Sequence, residues 1–453
     1  MRQIHKAFTI TYFFFFASVF FGPAFFSYSL GPIAIFPARI ILFPLWVLFC
    51  IGVYTKAIST APFKHKTTRI IFLFLAGWLV YGLLSLGWAL IKIEGIRDLL
   101  NMTVGFSTFA LAPFLDKKCL STLVKIWAGM FVASLFIGII EHVTTLHLPI
   151  SRLNDPALSH VNFRPSGFFD NENNYASFLT LSLPLALYAF RNNKATIKKL
   201  LWGSSIFFSV YLILVTTSRL NYLIMCIVFV VFALVLTQKK QRLKTLTALI
   251  LLVVATTAFM GTYQPALRGI VDNRLSSLYE AMEDFIDNLA PNNPENPYMV
   301  RETSIATRIN MVKNGLYFTA QTWGRGVGAG NFEQWIEQRA KYSTNNYVNP
   351  HNWWIELLAE YGVIIFLGYL IMWASMTWTL SKAIWKTTTH TQVGTAFLAL
   401  LVLPLVALSP STFLTYNPHW LTLGLALATL YHHRKEANED ASAPLIPSLS
   451  LPQ

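Results

Sequence analysis

The chain has 453 residues, of which 54% are hydrophobic and 15% aromatic, and only 12% are charged. A positive mean hydropathy with so few charges excludes an ordinary soluble globular domain. The net charge of +14 could suggest a nucleic-acid partner, and the placement of the charges decides against one.

Apolar runs long enough to cross a hydrocarbon core, roughly 17 to 25 residues each, recur along the chain. In lipid each backbone amide must be satisfied within its own segment, so these runs are read as helices. They predict an all-α polytopic membrane protein of about twelve transmembrane helices, at 8–30, 33–55, 69–91, 97–115, 120–140, 175–190, 200–217, 219–237, 243–262, 352–381, 391–408 and 417–432. Arg2 and Lys6 precede a phenylalanine-rich run, but no small-residue cleavage site follows, so the first helix is expected to be retained.

The basic residues fall unequally on the two sides. One side collects Arg2, Lys6, Lys56, Lys64, Lys66, Arg69, Lys117, Lys118, Arg191, Lys194, Lys198, Lys199, the 239–244 group, Lys382, Lys386, Arg434 and Lys435. Short loops on the other side hold little beyond Lys92, Arg97, Arg152, Arg164 and Arg219. This positive-inside pattern predicts that both termini lie in the cytoplasm. Cys50, Cys119 and Cys226 each lie in or beside a span, so no disulfide framework is implied.

Residues 1–262 are read as nine spans with an outer loop at 141–174, and residues 263–350 as a large outer loop between the ninth and tenth helices. Residues 351–433 supply three more spans, and 434–453 a disordered cytoplasmic tail. In the large loop, Leu275, Leu278, Met282, Phe285 and Leu289 predict an amphipathic helix. Residues 291–297 read as an irregular linker, and a second helix is predicted over 303–319.

Four outer clusters could carry chemistry. In the first, Arg164 stands near Gly167 and suits an anion, while Asn171, Asn173 and Asn174 could simply cap a helix. In the second, Arg219 lies at an interface with nothing else to form a loop, where a charge faces a partner anion or snorkels to water. The third joins Arg308 to Gly324–Phe332, whose alternate glycines fit a tight turn against another element or a ligand better than a nucleotide cradle. The fourth runs from Asn349 through His351 to Gly362, with Asn352, Glu356 and Glu360 at a spacing of four. His351 could exchange a proton near neutrality or serve as an interfacial hydrogen bonder. No histidine–cysteine cluster marks a metal site, and Asp170 with Glu172 is a weak match to a divalent-cation motif.

Taken in order, Arg164-x-Ser-Gly with Asn171–Ala176, Thr217-Ser-Arg219, Gly326-x-Gly-x-Gly-Asn-Phe332, and His351-Asn352 followed by Glu360-Tyr-Gly362 resemble the O-antigen ligase and O-antigen polymerase superfamily of bacterial envelope glycosyltransferases. The His-Asn-Trp-Trp run also resembles the teichuronic-acid polymerases. The resemblance implies a GT-C-like enzyme of the inner membrane, without metal or other cofactor, that moves a glycan from undecaprenyl diphosphate to an acceptor hydroxyl with inversion. It implies that Arg219 and Arg308 bind the diphosphate and that His351 is catalytic. Arg164, Asn174, Asn352, Glu356 and Arg325 are the other expected substrate contacts. Met311 and Val312 stand where the family usually carries a tryptophan.

The chemistry agrees with this assignment. A departing diphosphate gains negative charge that fixed cations stabilise, and arginine supplies permanent planar donors. His351 would take the acceptor proton, with Asn352 or Glu356 fixing its ring. The expected partners are the lipid-linked donor, a lipid A core or a second lipid-linked repeat as acceptor, membrane lipids, and other envelope-polysaccharide assembly proteins. A polysaccharide or solute transporter is the alternative of another class; it is disfavoured because the cations gather at one outer face.

Overall fold

A computed structural model of the chain describes residues 1–22, 24, 26–263, 304–386, 391–409 and 416–442. The predicted amphipathic helix at 275–289 and the linker at 291–297 lie outside them.

A helix occupies each of the twelve predicted stretches: α1 (Arg2–Phe21), α2 (Pro37–Tyr54), α4 (Lys66–Ser85), α5 (Lys92–Leu111), α6 (Lys117–Thr144), α7 (Glu172–Asn192), α8 (Thr196–Val215), α9 (Arg219–Val235), α10 (Arg242–Tyr263), α13 (Trp353–Lys386), α14 (Thr391–Val406) and α15 (Asn417–Ser442). Between them lie a short helix α3 (Ala61–Lys64) and two loop helices, α11 (Ser304–Gln321) and α12 (Phe332–Arg339). The one sheet among the described residues is a hairpin, Tyr28–Leu30 against Ile33–Ile35 in antiparallel register. It occupies the stretch where the first predicted span was extended to residue 30. The tail departs from expectation too: α15 runs on to Ser442, and Glu436 forms an ion pair with Lys117.

Among the described residues, seven helices are long and apolar enough to cross a membrane, and two shorter apolar ones cover Arg219–Val235 and Val393–Val406. Their outward faces carry Phe14, Phe43, Leu73, Phe136, Leu200, Leu223, Leu251 and Ile371, all exposed. Water would not tolerate so wide an apolar belt on a monomer. Helices α5, α7 and α15 fall outside the apolar set because they run through the middle of the bundle. Nearly every side chain of α7 from Asn174 to Leu187 is buried, so Ser177, Thr180 and Ser182 face protein rather than lipid.

Contacts at the helix ends fix the alternation of direction. At one end His5 approaches Asp116 at 3.9 Å, His432 bonds the Leu115 carbonyl at 2.9 Å, and Arg434 donates to Thr67 at 2.5 Å. At the other end Asn417 donates to the Val19 carbonyl at 2.6 Å, so the last helix closes on the first.

Helix α13 is not the straight span that 352–381 predicts. Gly362 adopts φ 75°, ψ −179°, and Trp353 packs on Tyr369 with ring centroids 5.6 Å apart. In a straight helix sixteen residues would separate them by roughly 24 Å, so the chain doubles back at Gly362. The break frees carbonyls, and the glycine-rich segment satisfies them. The N–H of Val327 donates to Ala359 O at 2.8 Å, that of Gly328 to Glu360 O at 3.0 Å, and that of Val363 to Gly324 O at 2.9 Å. Phe332 N–H donates to the Glu360 carboxylate at 3.1 Å. The glycines are a tight turn against another element, one of the two uses expected of them.

A methyl group at Gly326 would lie 2.4 Å from the Glu360 carbonyl oxygen, at φ +85°. Gly326→Ala should therefore destabilise by more than the ~1–2 kcal/mol of a left-handed backbone alone, read as a lower melting temperature of the detergent-solubilised protein. An unchanged melting temperature would mean that the segment does not brace α13.

Candidate functional site

The helix ends on the side of the Asn417–Val19 contact surround a cavity of about 650 Å³. Its walls mix aromatic faces (Phe20, Phe36, Phe168, Tyr416), amides (Asn101, Asn171, Asn174, Asn349, Asn417), the guanidinium-bearing Arg39, Arg97 and Arg152, the carboxylate of Asp170, and His351. Aromatic rings beside amides suit a ligand that has both apolar faces and hydroxyls.

The loop at 145–171 is folded, not slack. Glu141, buried at the end of α6, accepts from the backbone N–H groups of Ser166 at 2.8 Å and Gly167 at 2.7 Å. His142 bonds the Phe163 carbonyl at 2.7 Å, and His147 the Asn162 carbonyl at 2.7 Å. Gly167 has φ +56°, and a side chain there would strike the Tyr175 ring at 2.7 Å. The Ser-Gly of the first motif is thus a backbone nest for a carboxylate of the protein itself.

This loop delivers two arginines to one acid. Arg152 grips Glu172 with both arms of its fork, Nη2–Oε1 at 2.6 Å and Nε–Oε2 at 3.2 Å. Arg164 approaches the same carboxylate at 3.5 Å, and burial pushes its pKa down in spite of that partner. Sequence reasoning selects Arg164 and passes over Arg152 and Glu172. The 20 residues that separate the latter pair leave no periodicity to connect them, and Asp170 with Glu172 reads locally as a weak cation motif. Asn171 caps α7, accepting from Asn174 N–H at 2.9 Å, which is the capping role expected as one reading. Asn174 lines the cavity and donates to Asp170 at 2.6 Å.

Arg219 is the first residue of α9, entered through a left-handed Thr217 with φ 61°. A cation at a helix N-terminus opposes the helix dipole, so the two positive ends together favour an anion. Arg308 rises from α11, which is held by Asn310 donating to Ser343 O and Asn314 to Tyr342 O, each at 2.8 Å. Met311 is buried in a small core with Phe318, Phe332 and Trp335. Protein crowding around the Arg308 guanidinium, then the charge of Arg219, lowers its pKa, although the side chain as a whole stays open to solvent.

His351 sits at φ +46°. Its N–H donates to Asn349 Oδ1 at 3.0 Å, and Asn349 in turn donates to Glu333 of α12 at 2.9 Å. The ring nitrogen Nδ1 is buried and has no hydrogen-bond partner. Burial, then the charges of Arg308 and Arg152, lowers the His351 pKa to about 4, against smaller opposing effects of Glu172 and the Ser409 main chain. The imidazole is therefore neutral at pH 7 and can accept a proton.

The structure thus pairs Arg152 and Arg164 with Glu172, sets Arg308 within the influence of Arg219, and sets His351 within that of Arg308, Arg152 and Glu172. Three further expected contacts have partners within the protein or are buried. Asn352 Oδ1 caps α13, accepting from Trp354 N–H at 3.1 Å, so it does not fix the imidazole. Glu356 is buried on the returning arm of α13. Arg325 lies over the Trp88 ring at 5.2 Å, beside the glycine brace rather than on the cavity wall.

Residues 204–370 match the family described as O-antigen ligase, a stretch that includes Arg219, Arg308, the glycine segment and His351. The chain is also 27% identical, over 430 residues that cover 91% of it and 82% of the relative, to teichuronic acid biosynthesis protein TuaE of Bacillus subtilis (strain 168). Over the 204–370 stretch the chain is similar to the O-antigen ligases. The matched stretch holds three of the four sequence motifs, and the first, Arg164 to Ala176, lies before it.

Glu172→Gln removes the counter-charge that both loop arginines share. Leaving them unpaired should cost about 1–3 kcal/mol, measured as a fall in melting temperature. A stable variant would show that the loop is held without this pairing.

Proposed function

We propose that the protein is a glycosyltransferase of the bacterial cytoplasmic membrane, with twelve crossings and both termini inside. It takes a glycan from undecaprenyl diphosphate on the outer face and joins it to an acceptor hydroxyl. The observation that carries this reading is the convergence of four arginines and one neutral histidine beside an amide- and aromatic-lined cavity.

In this reading Arg219 and Arg308 hold the diphosphate and stabilise the charge that grows on it as the glycosidic bond breaks. Their fixed cations remove the need for a metal or other cofactor. His351 Nδ1 accepts the acceptor proton as the oxygen attacks the anomeric carbon from the face opposite the diphosphate, which inverts that centre. Arg152 and Arg164, already shared with Glu172, keep the neighbourhood positive and the outer loop in place.

Donor binding also tunes the base. The charges of Arg308 and Arg152 help to keep the free imidazole at about 4, and a bound diphosphate offsets them, so His351 becomes a stronger base when the donor is present.

The relative's part in teichuronic acid biosynthesis favours joining of lipid-linked repeat units, and the family's description as O-antigen ligase favours transfer to a lipid A core. Deleting the gene and resolving envelope polysaccharides on a gel separates them. Single repeat units mean polymerisation, whereas free lipid-linked polymer with a bare core means ligation.

His351→Ala should lower transfer by about 10²–10⁴-fold, and Arg219→Ala or Arg308→Ala by about 10²–10³-fold, with each protein still inserted and folded. Full activity of the histidine variant in a lipid-linked donor assay would remove the base. Protonation disables a base, so kcat/KM should fall as pH drops through about 4, and kcat should fall at a higher pH because the donor is bound. Coincident acid limbs would contradict the tuning by diphosphate.

A further inference from the structure

The cavity extends well beyond His351. Its far arm lies between the outer end of α1, the hairpin, α2 and α5, where Arg39, Arg97 and Asn101 meet Phe20, Phe36 and Asn417. None of the transfer steps uses this arm.

Two of the three arginines on the cavity wall are neutralised within the protein. Arg152 pairs with Glu172, and Arg97 pairs with Glu94 while also donating to the Pro32 carbonyl at 2.6 Å. Arg39 differs. Its guanidinium donates to two neutral acceptors, the Ala34 carbonyl and Asn101 Oδ1, the latter at 2.8 Å, and has no ion-pair partner among the described residues. It lies over the Phe36 ring at 4.9 Å, and its Nε is buried without a hydrogen-bond partner. The one carboxylate on the cavity wall, Asp170, is on the α7 side, where the amides of Asn171 and Asn174 hold it.

A half-buried guanidinium with donors to spare is poorly served by a neutral ligand, which would leave those donors desolvated and unpaired. A carboxylate matches its planar fork. The surrounding aromatic faces and amides suit a sugar ring rather than a bare anion. We propose that the arm of the cavity at Arg39, Asn101 and Arg97 is a subsite for an acidic sugar of the glycan, whose carboxylate is held by Arg39. The inference deepens the proposed function and rests on it for the word glycan, yet it can fail separately.

Binding tests it without any transfer. Full-length protein in detergent is titrated calorimetrically with a short galacturonate oligomer, with the same oligomer reduced to its neutral galactose form, and with inorganic pyrophosphate. Wild type should prefer the acidic oligomer by about 10-fold or more. Arg39→Gln should erase that preference, and Arg39→Lys should keep part of it, in proteins whose melting temperatures match wild type.

Equal binding of the two oligomers by wild type, or a preference that survives Arg39→Gln, overturns the subsite. So does pyrophosphate binding that is lost in Arg39→Gln while the oligomers are unaffected, since Arg39 would then belong to the diphosphate pocket. A protein that shows the preference yet transfers no glycan refutes the proposed reaction and leaves the subsite intact.

Discussion

A helix broken inside a low-dielectric bundle exposes backbone groups that neither lipid nor side chains can satisfy. The break at Gly362 is tolerable because a separate segment, Gly324–Phe332, inserts its own N–H groups against the freed carbonyls of Ala359 and Glu360. Only glycine can approach so closely: Gly326, Gly330 and Gly362 would each set a methyl group within 3.0 Å of another backbone. Much of the outer face follows from that one splice. It returns the first arm of α13 toward the bundle centre, where Trp353 meets Trp78, Tyr369, His419 and Trp420. It also fixes the residues flanking the arm, with His351 on one side and α11, bearing Arg308, on the other.

The electrostatics of the outer face depend on the same rigidity. Guanidinium groups brought together without compensation repel, and Arg308 registers the charge of Arg219 in its lowered pKa. Packing holds them despite that cost: α11 through its asparagine bonds to 341–343, and Arg219 through the tight reversal at Thr217. Glu172 supplies the internal counter-ion that lets two more arginines stand nearby.

Much of the architecture could be read in the sequence because lipid imposes a simple rule on the peripheral helices. Each must be apolar over its full width, so their spans stood out as unbroken runs. The inner helices α5, α7 and α15 contact protein instead and admit serine, threonine and histidine, which weakened their signal. Motif order singled out Arg219, Arg308 and His351, which the fold brings within mutual electrostatic influence. The partnership of Arg152 with Glu172, the capping use of Asn352 and the stacking of Arg325 on Trp88 were not legible, because each depends on contacts between segments whose approach no local pattern encodes. The reversal at Gly362 was hidden for a related reason: the residues on both sides of it are equally good helix formers, and only the absent Cβ distinguishes the hinge.

The contact between Asn417 and the Val19 carbonyl has a bearing on biogenesis. A chain inserted from its N-terminus exposes Arg219 of α9 and the loop arginines early, yet the wall formed by Tyr416 and Asn417 arrives only with the final helix. Until that helix seats against the first, the cavity stays open on one side and its ligands cannot be enclosed. A product truncated before the last helix, however well inserted, lacks the wall that Tyr416 and Asn417 supply.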